Sequence, residues 1–256
     1  MFFVFTSTCK VLCFASYVAA NFLPLSAAAA APDSSAEDDF QKLQRNESSS
    51  LHERARKVLE LTWRTTTTRP GWRREKRSDD GDVIDSRRGP SRKIFRLTGR
   101  VELSPRRLLE ELFHKIEQVP AWNPTVAKSQ VLQKIDENTD ITYQVTAKIA
   151  AGIISSRDFV VLRQWAEKEG HFIAAARSTS NNFKPEQDGI IRAHSGPGCW
   201  LISPIEHEPD ACKVQWLMDT DLKGWLPRVA VDRAIPRAME DFMRHLRSHV
   251  RTLRGR

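Results

Sequence analysis

The chain has 256 residues, 40% of them hydrophobic, which is room for one domain with a real interior plus a tail. Its 40 Lys and Arg against 32 Asp and Glu leave a formal charge of +8, which favours anionic partners and by itself chooses neither nucleic acid nor lipid head groups. The four cysteines, Cys9, Cys13, Cys199 and Cys212, lack zinc-site spacing and are too few for a disulfide scaffold, so reduced core thiols are expected.

Residues 1–31 hold one charge, Lys10, in an apolar run long enough to cross a bilayer and ending in alanines that suit a cleavage site. Signal peptide, membrane anchor and misplaced gene start all stay open. The stretch has no Arg, which argues against a mitochondrial presequence. Residues 32–50, polar and acidic, are expected as a disordered linker, with a glycosylation sequon at Asn46 that matters only in a lumen. The folded domain is expected over 51–256.

From Leu51 the spacing of Leu51, Ala55, Val58, Leu59 and Thr62 predicts an amphipathic helix that Ser50 can cap. The basic run that follows, broken by Asp-Gly, predicts a solvated hairpin region, and "KIFRLTGRVEL" predicts a strand. Ser104-Pro105 opens a helix with Leu108, Leu109, Leu112, Phe113 and Ile116 on one side, expected to stop before Pro120.

Seven runs of period two then succeed one another from Lys128 to Thr220 with no helix between them, the pattern of an antiparallel sheet. The chain ends in a long helical pattern in which Ile235, Ala238, Met239, Phe242, Leu246, Val250 and Leu253 share a face, with Pro236 expected to kink it. The fold class is therefore α+β, with the terminal helix laid across a curved antiparallel sheet. In the connection between sheet and helix, "TDLKGWLPR", stands Trp225. A tryptophan at a strand end ordinarily packs under the next helix; the other reading makes it the hinge of a helix that covers something exchangeable.

The order Trp122-Asn123-Pro124, Arg157-Asp158-Phe159, Gly196-Pro197 and Asp221-Leu222-Lys223-Gly224-Trp225-Leu226-Pro227 resembles the START lipid-transfer domain, in its sterol-binding branch, from about Leu51 to the C-terminus. The resemblance implies a helix-grip fold enclosing a tunnel for one lipid, and a carrier that moves a sterol, cholesterol first, between membranes; a carotenoid or another lipid is the alternative. It implies a tunnel lined by Arg163, Phe159, Val161, Trp165, Gln144, Ser195, Met239 and Phe242. Strand alternation independently puts Arg163 on one face with Phe159, Val161 and Trp165.

The family pairs this arginine with an acid on the adjacent strand, whose position falls on the neutral Gln144. Alternation also turns Tyr143, Val145 and Ala147 away from that side. Ser195 falls where the family can carry His or Asn. The loop Lys148–Ser156 carries Ile153 and Ile154, which, with Trp225 and Leu226, are expected to meet a membrane or gate the tunnel. Eight Arg against three acids between Leu226 and Arg256 suit an anionic surface.

No Gly-x-Ser-x-Gly, His-Glu-x-x-His or P-loop occurs and the seven His are scattered, so no enzyme, metal or cofactor is expected. No RNA-binding signature or recognition helix points to nucleic acid. A monomer, associated with an endosomal or other organelle membrane with its folded domain facing the cytosol, completes the expectation; the open reading of the leader keeps a secretory route in view.

Overall fold

The computed structural model describes residues 34–68, 71–148 and 154–255. The leader at 1–31 and Ile153 lie outside the described residues. The chain divides into two units, Met1–Lys42 and Leu43–Arg256, and every described strand belongs to the second.

Helix α1 (Ser34–Thr67) begins earlier than the sequence pattern suggests. No Gly or Pro interrupts 34–67, so the stretch expected as a linker carries helix despite its sparse apolar content. The expected face is buried throughout: Leu51, Ala55, Val58, Leu59 and Thr62 are each under 8% exposed. It packs on one side of the sheet, Leu51 and Ala55 against Ile141, Tyr143 and Leu162, and Val58, Leu59 and Trp63 against Ile173, Leu201 and Leu217.

The sheet contains β1 (Arg73–Arg77), β2 (Val83–Arg88), β3 (Lys93–Val101), β4 (Val126–Lys134), β5 (Thr139–Thr146), β6 (Arg157–Lys168) and β7 (His171–Ser178), together with β10 (Gly198–Ile205) and β11 (Glu208–Met218). Their order is β1-β2-β3-β11-β10-β7-β6-β5-β4, antiparallel at every step. Apart from β3–β11 and β10–β7, each step joins strands adjacent in sequence, as expected for a chain of hairpins. A short β8 (Ile191–Arg192) adds parallel to the start of β6, and β9 (His194–Ser195) pairs with β12 (Thr220–Asp221). Edge strand β1, Arg-Arg-Glu-Lys-Arg, is exposed at every residue, and its charges guard the open edge.

The helix expected from Ser104 is broken. A turn of α2 (Pro105–Leu109) widens into a π-helical turn at Glu110–His114 and ends at Lys115, with φ −96° and ψ 28°. A further turn, α3 (Val119–Trp122), contains Pro120 rather than stopping before it, because Pro fits a first helical turn whose N–H groups have no partner.

The long C-terminal helix α4 (Arg228–Arg254) runs through Pro236 uninterrupted. Ile235, Met239, Met243, Leu246 and Val250 pack on the face opposite α1, against Phe95, Leu97, Val101 and Val214. Its second half is tied down by Arg247, which donates from Nη1 to Asp82 Oδ2 at 2.8 Å and from Nε to the Arg100 carbonyl at 3.1 Å, Asp82 being 1% exposed. Its first half is joined to the sheet by the surface pairs Lys93–Asp232 and Lys76–Glu240, and exposed pairs of that kind contribute little.

Candidate functional site

Between the sheet and α4 lies a cavity of about 280 Å³. Its cause is visible in the strand register: Ala176 stands between Gly198 on β10 and Arg163 on β6, and Ala174 neighbours it along β7. Small side chains in the middle of the sheet leave room that α4 spans without filling. The walls are mostly apolar, with Leu112, Phe113, Phe159, Val161, Ile235 and Phe242 among them. One end is aromatic: Trp200 and Trp216, cross-strand neighbours, stack at 4.5 Å, and Phe242 lies 5.6 and 5.1 Å from them. Trp122, from the Trp-Asn-Pro motif, meets Phe242 at 5.8 Å and stacks on His249 at 4.8 Å. In the same motif Asn123 Oδ1 accepts from the Thr125 N–H and hydroxyl, turning the chain into β4.

Arg163 faces the cavity as alternation predicts, but its partner is not residue 144. Asp140, directly opposite on β5, accepts from Arg163 Nε at 2.8 Å and Nη2 at 2.6 Å. The Phe113 carbonyl, in the π-turn, accepts from Nη2 at 3.1 Å, and the guanidinium carbon sits 4.2 Å from the Phe113 ring centre. With both ends buried, the pair is held by an added carbonyl acceptor and an aromatic face, the extra support that such a pair needs in a dry interior. Gln144 lies opposite Phe159, lines the cavity, and makes no side-chain hydrogen bond among the described residues; Ser129, opposite Gln144 on β4, has its hydroxyl buried without a partner there. The outward side of β5 is apolar as expected, Tyr143 and Val145 packing with the helix α1 cluster.

Phe159, Val161, Ser195 and Phe242 also line the cavity; the Ser195 hydroxyl donates to the Gly196 carbonyl at 3.2 Å. Two expected lining residues do not. Met239 is fully buried between α4 and the sheet, one helical position away from the lining residue Ala238. Trp165 packs beside Phe172 and His114, beyond Arg163 on the same strand.

The Arg-Asp-Phe motif ties the start of β6 to the segment entering α4. Arg157 is 2% exposed and, among the described residues, has no carboxylate partner; it donates to the carbonyls of Leu222 at 2.9 Å and Ser155 at 2.5 Å, and desolvation lowers its pKa. It thus clasps the loop before β6 to the segment that leads into α4. The same approach keeps residue 224 a glycine, since a Cβ there would lie 3.3 Å from Arg157 Nη2 and φ is +75°. Asp158, fully buried, is held bidentately by Arg192 at 2.8 and 2.9 Å.

Ile154 is 1% exposed and packs with Leu222 and Ala234, so its side chain is buried beneath α4 rather than presented at the surface. Leu226 is half-buried against the same cluster. Trp225 is 96% exposed, and Val229, one turn on, is 62% exposed, so the indole does not pack under the helix. Cys199 and Cys212 are buried free thiols, pushed by burial up to about 11 and about 12.

Residues 52–256 match the START domain family over four-fifths of the chain. This chain belongs to that family. The START domain is 37% identical over 181 residues to the mitochondrial steroidogenic acute regulatory protein of Homo sapiens, and 34% identical over 186 residues to its counterpart in Gallus gallus. These alignments cover 70% and 72% of this chain and 64% and 66% of those relatives, so the chain matches somewhat under two thirds of their length. Among solved structures, human StAR-related lipid transfer protein 5 superposes with a TM-score of 0.72 at 23% identity, covering 80% of this chain and 99% of that one. The helix-grip arrangement of antiparallel sheet and terminal helix is thereby the fold of this START domain.

Proposed function

We propose that this START domain binds one neutral lipid of sterol class in the cavity and carries it between membranes, with no chemical change to the cargo. The observation that carries the reading is the mostly apolar space beneath α4 whose internal cation, Arg163, is already neutralised by Asp140. Its volume lies just below the about 300–1,000 Å³ usual for ligand pockets, which limits it to a single compact guest. Burying on the order of 500 Å² of sterol surface at about 25 cal/mol per Å² gives roughly 12 kcal/mol, comparable to what a bilayer offers, so transfer is close to balanced.

Selectivity then rests on few polar contacts. Arg163 is spent on Asp140 and Phe113, whereas the Gln144 amide faces the cavity without a partner among the described residues and the Ser129 hydroxyl waits beside it. A neutral amide and a hydroxyl suit a lipid hydroxyl or ketone and bring no positive charge to neutralise a buried carboxylate or phosphate. Cholesterol fits that chemistry. In this reading its exit passes Ile154, Leu222 and Ala234 beneath the first turns of α4, and the exposed Trp225 beside them supports that end as the one that meets a bilayer. In this reading the domain works at a cytosol-facing membrane surface.

The test has two readouts on the full chain: mass spectrometry of the lipids that co-purify with it, and transfer of a fluorescent sterol between donor and acceptor vesicles. Recovery of sterol with catalysed transfer supports the reading. Recovery of a carotenoid or phospholipid in its place reassigns the cargo.

A further inference from the structure

A second cleft, about 780 Å³, opens on the surface between the β2–β3 connection and the segment entering α4. It is a basic site. Arg88 and Arg228 line it, both exposed and with no ion pair among the described residues, and Arg92, Lys93 and Lys223 line it already paired. Arg92 is held by Asp219 at 2.6 Å and Lys93 by Glu75 at 3.2 Å, both outside the cleft, and two lining carboxylates add pairs within it: Asp221 with Lys223 at 2.9 Å, and Asp232 with Lys93 at 3.4 Å. Trp225 lies beside Gly224 and Leu226, which line the cleft.

The wall of this cleft is thin. Thr220, Leu222 and Ile235 line both it and the internal cavity, so a single layer of side chains separates the two. Asp221 is adjacent to two of these residues, and Asp232 stands one helical turn before the third. The two carboxylates that compete for the cleft's cations therefore sit on the segments that form the wall.

We propose that the cleft seats the phosphate of an anionic phospholipid head group in the membrane on which Trp225 docks, and that seating it opens the wall. The inference rests on the carrier reading for its consequence, though not for the site itself. A phosphate offers acceptors to Arg88 and Arg228 and exchanges with Asp221 and Asp232 for Lys223 and Lys93. Once released, the first turn of α4 keeps its apolar contacts between the Arg157 clasp on the segment before it and the Lys76–Glu240 pair beyond it, while Arg247 keeps the second half in place. Opening is thereby confined to an anionic surface, and the loaded protein stays closed in solution. Commitment to a bilayer source follows from the 96% exposed indole at the rim, which a soluble phosphate does not use.

The experiment compares the full chain with Arg88→Ser/Arg228→Ser and with a control, Arg251→Ser/Arg254→Ser, at the other end of α4. Each is measured for partition onto vesicles of phosphatidylcholine alone or with phosphatidylserine at fixed ionic strength, and for release of bound fluorescent sterol. Loss of two head-group cations lowers partition onto the anionic vesicles by roughly thirtyfold and abolishes their acceleration of release, while the control loses less than about threefold. Asp232→Asn, which removes the competitor carried by α4 itself, accelerates release onto phosphatidylcholine alone.

Equal losses in cleft and control variants, or no preference of the wild type for phosphatidylserine, overturn the proposal. A wild type that prefers phosphatidylserine in a cleft-dependent way yet holds no sterol overturns the carrier reading and leaves the cleft standing.

Discussion

Asp140 and Arg163 stand directly opposite one another on β5 and β6, and both contacts between carboxylate and guanidinium are made inside the protein, with the two side chains 10% and 7% exposed. Removing one partner leaves a buried charge without compensation. Arg163→Leu and Asp140→Asn are each expected to lower stability by about 3–5 kcal/mol, and Asp140→Leu/Arg163→Leu by much less than their sum. Urea denaturation of the four proteins measures the coupling, and additive losses would show that the pair is not energetically linked.

Gln144 faces the space proposed for the cargo and supports no other side chain among the described residues. Gln144→Leu is expected to leave the urea midpoint unchanged and to weaken a hydroxyl-bearing sterol roughly tenfold, about the worth of one hydrogen bond, while its deoxy analogue binds the variant as well as the wild type. Titration with both ligands provides the comparison.

Much of this site is legible in the order of the residues. Alternation along "RDFVVLRQW" puts Arg163 with Phe159 and Val161, and spacing along α4 puts Phe242 on the inner side. The partner of Arg163 is not legible in that way, because pairing depends on the register of β5 against β6. That register is set by the connection at 147–156, whose length does not fix which residue opposes which. Met239 and Phe242 share an apolar helix face, yet the cavity takes only part of its width, and periodicity carries no information on where packing stops. Arg157 is legible only as a motif letter: its acceptors are backbone carbonyls, which every residue has, so no side-chain pattern announces the clasp. Ile154 shows the converse, since an isoleucine in a loop reads alike for a membrane anchor and for a buried side chain.

Trp225 contributes almost no burial to the folded state. Trp225→Ser is expected to keep its thermal midpoint within about 2 °C, in keeping with the small effect of surface substitutions, and to lose partition onto vesicles. Thermal melts and vesicle flotation on the same preparation separate the two effects, and a large fall in midpoint would mean that the indole packs after all.

Burial pushes the Glu111 carboxyl up, and the hydrogen bonds and charges of Lys115 and His249 outweigh it, leaving its pKa below the ordinary 4.5. A carboxyl with a lowered folded pKa adds stability above its unfolded pKa, and that stability is lost as pH falls through the folded value. Since Glu111 connects the π-turn to α4 through His249 at 2.9 Å, stability is expected to decline as pH falls below about 4.5. In Glu111→Gln the decline over that window is shallower, and an identical pH profile would remove the contact from the account.

The cavity itself is tested most directly by native mass spectrometry of the full chain purified from sterol-containing cells, beside Ala176→Phe, which puts a ring into the space left by the small residues of β7 and β10. The wild type is predicted to carry one lipid per chain, and the folded variant none. A lipid-free wild type, or the same adduct in both, would contradict the assignment of that space to a guest.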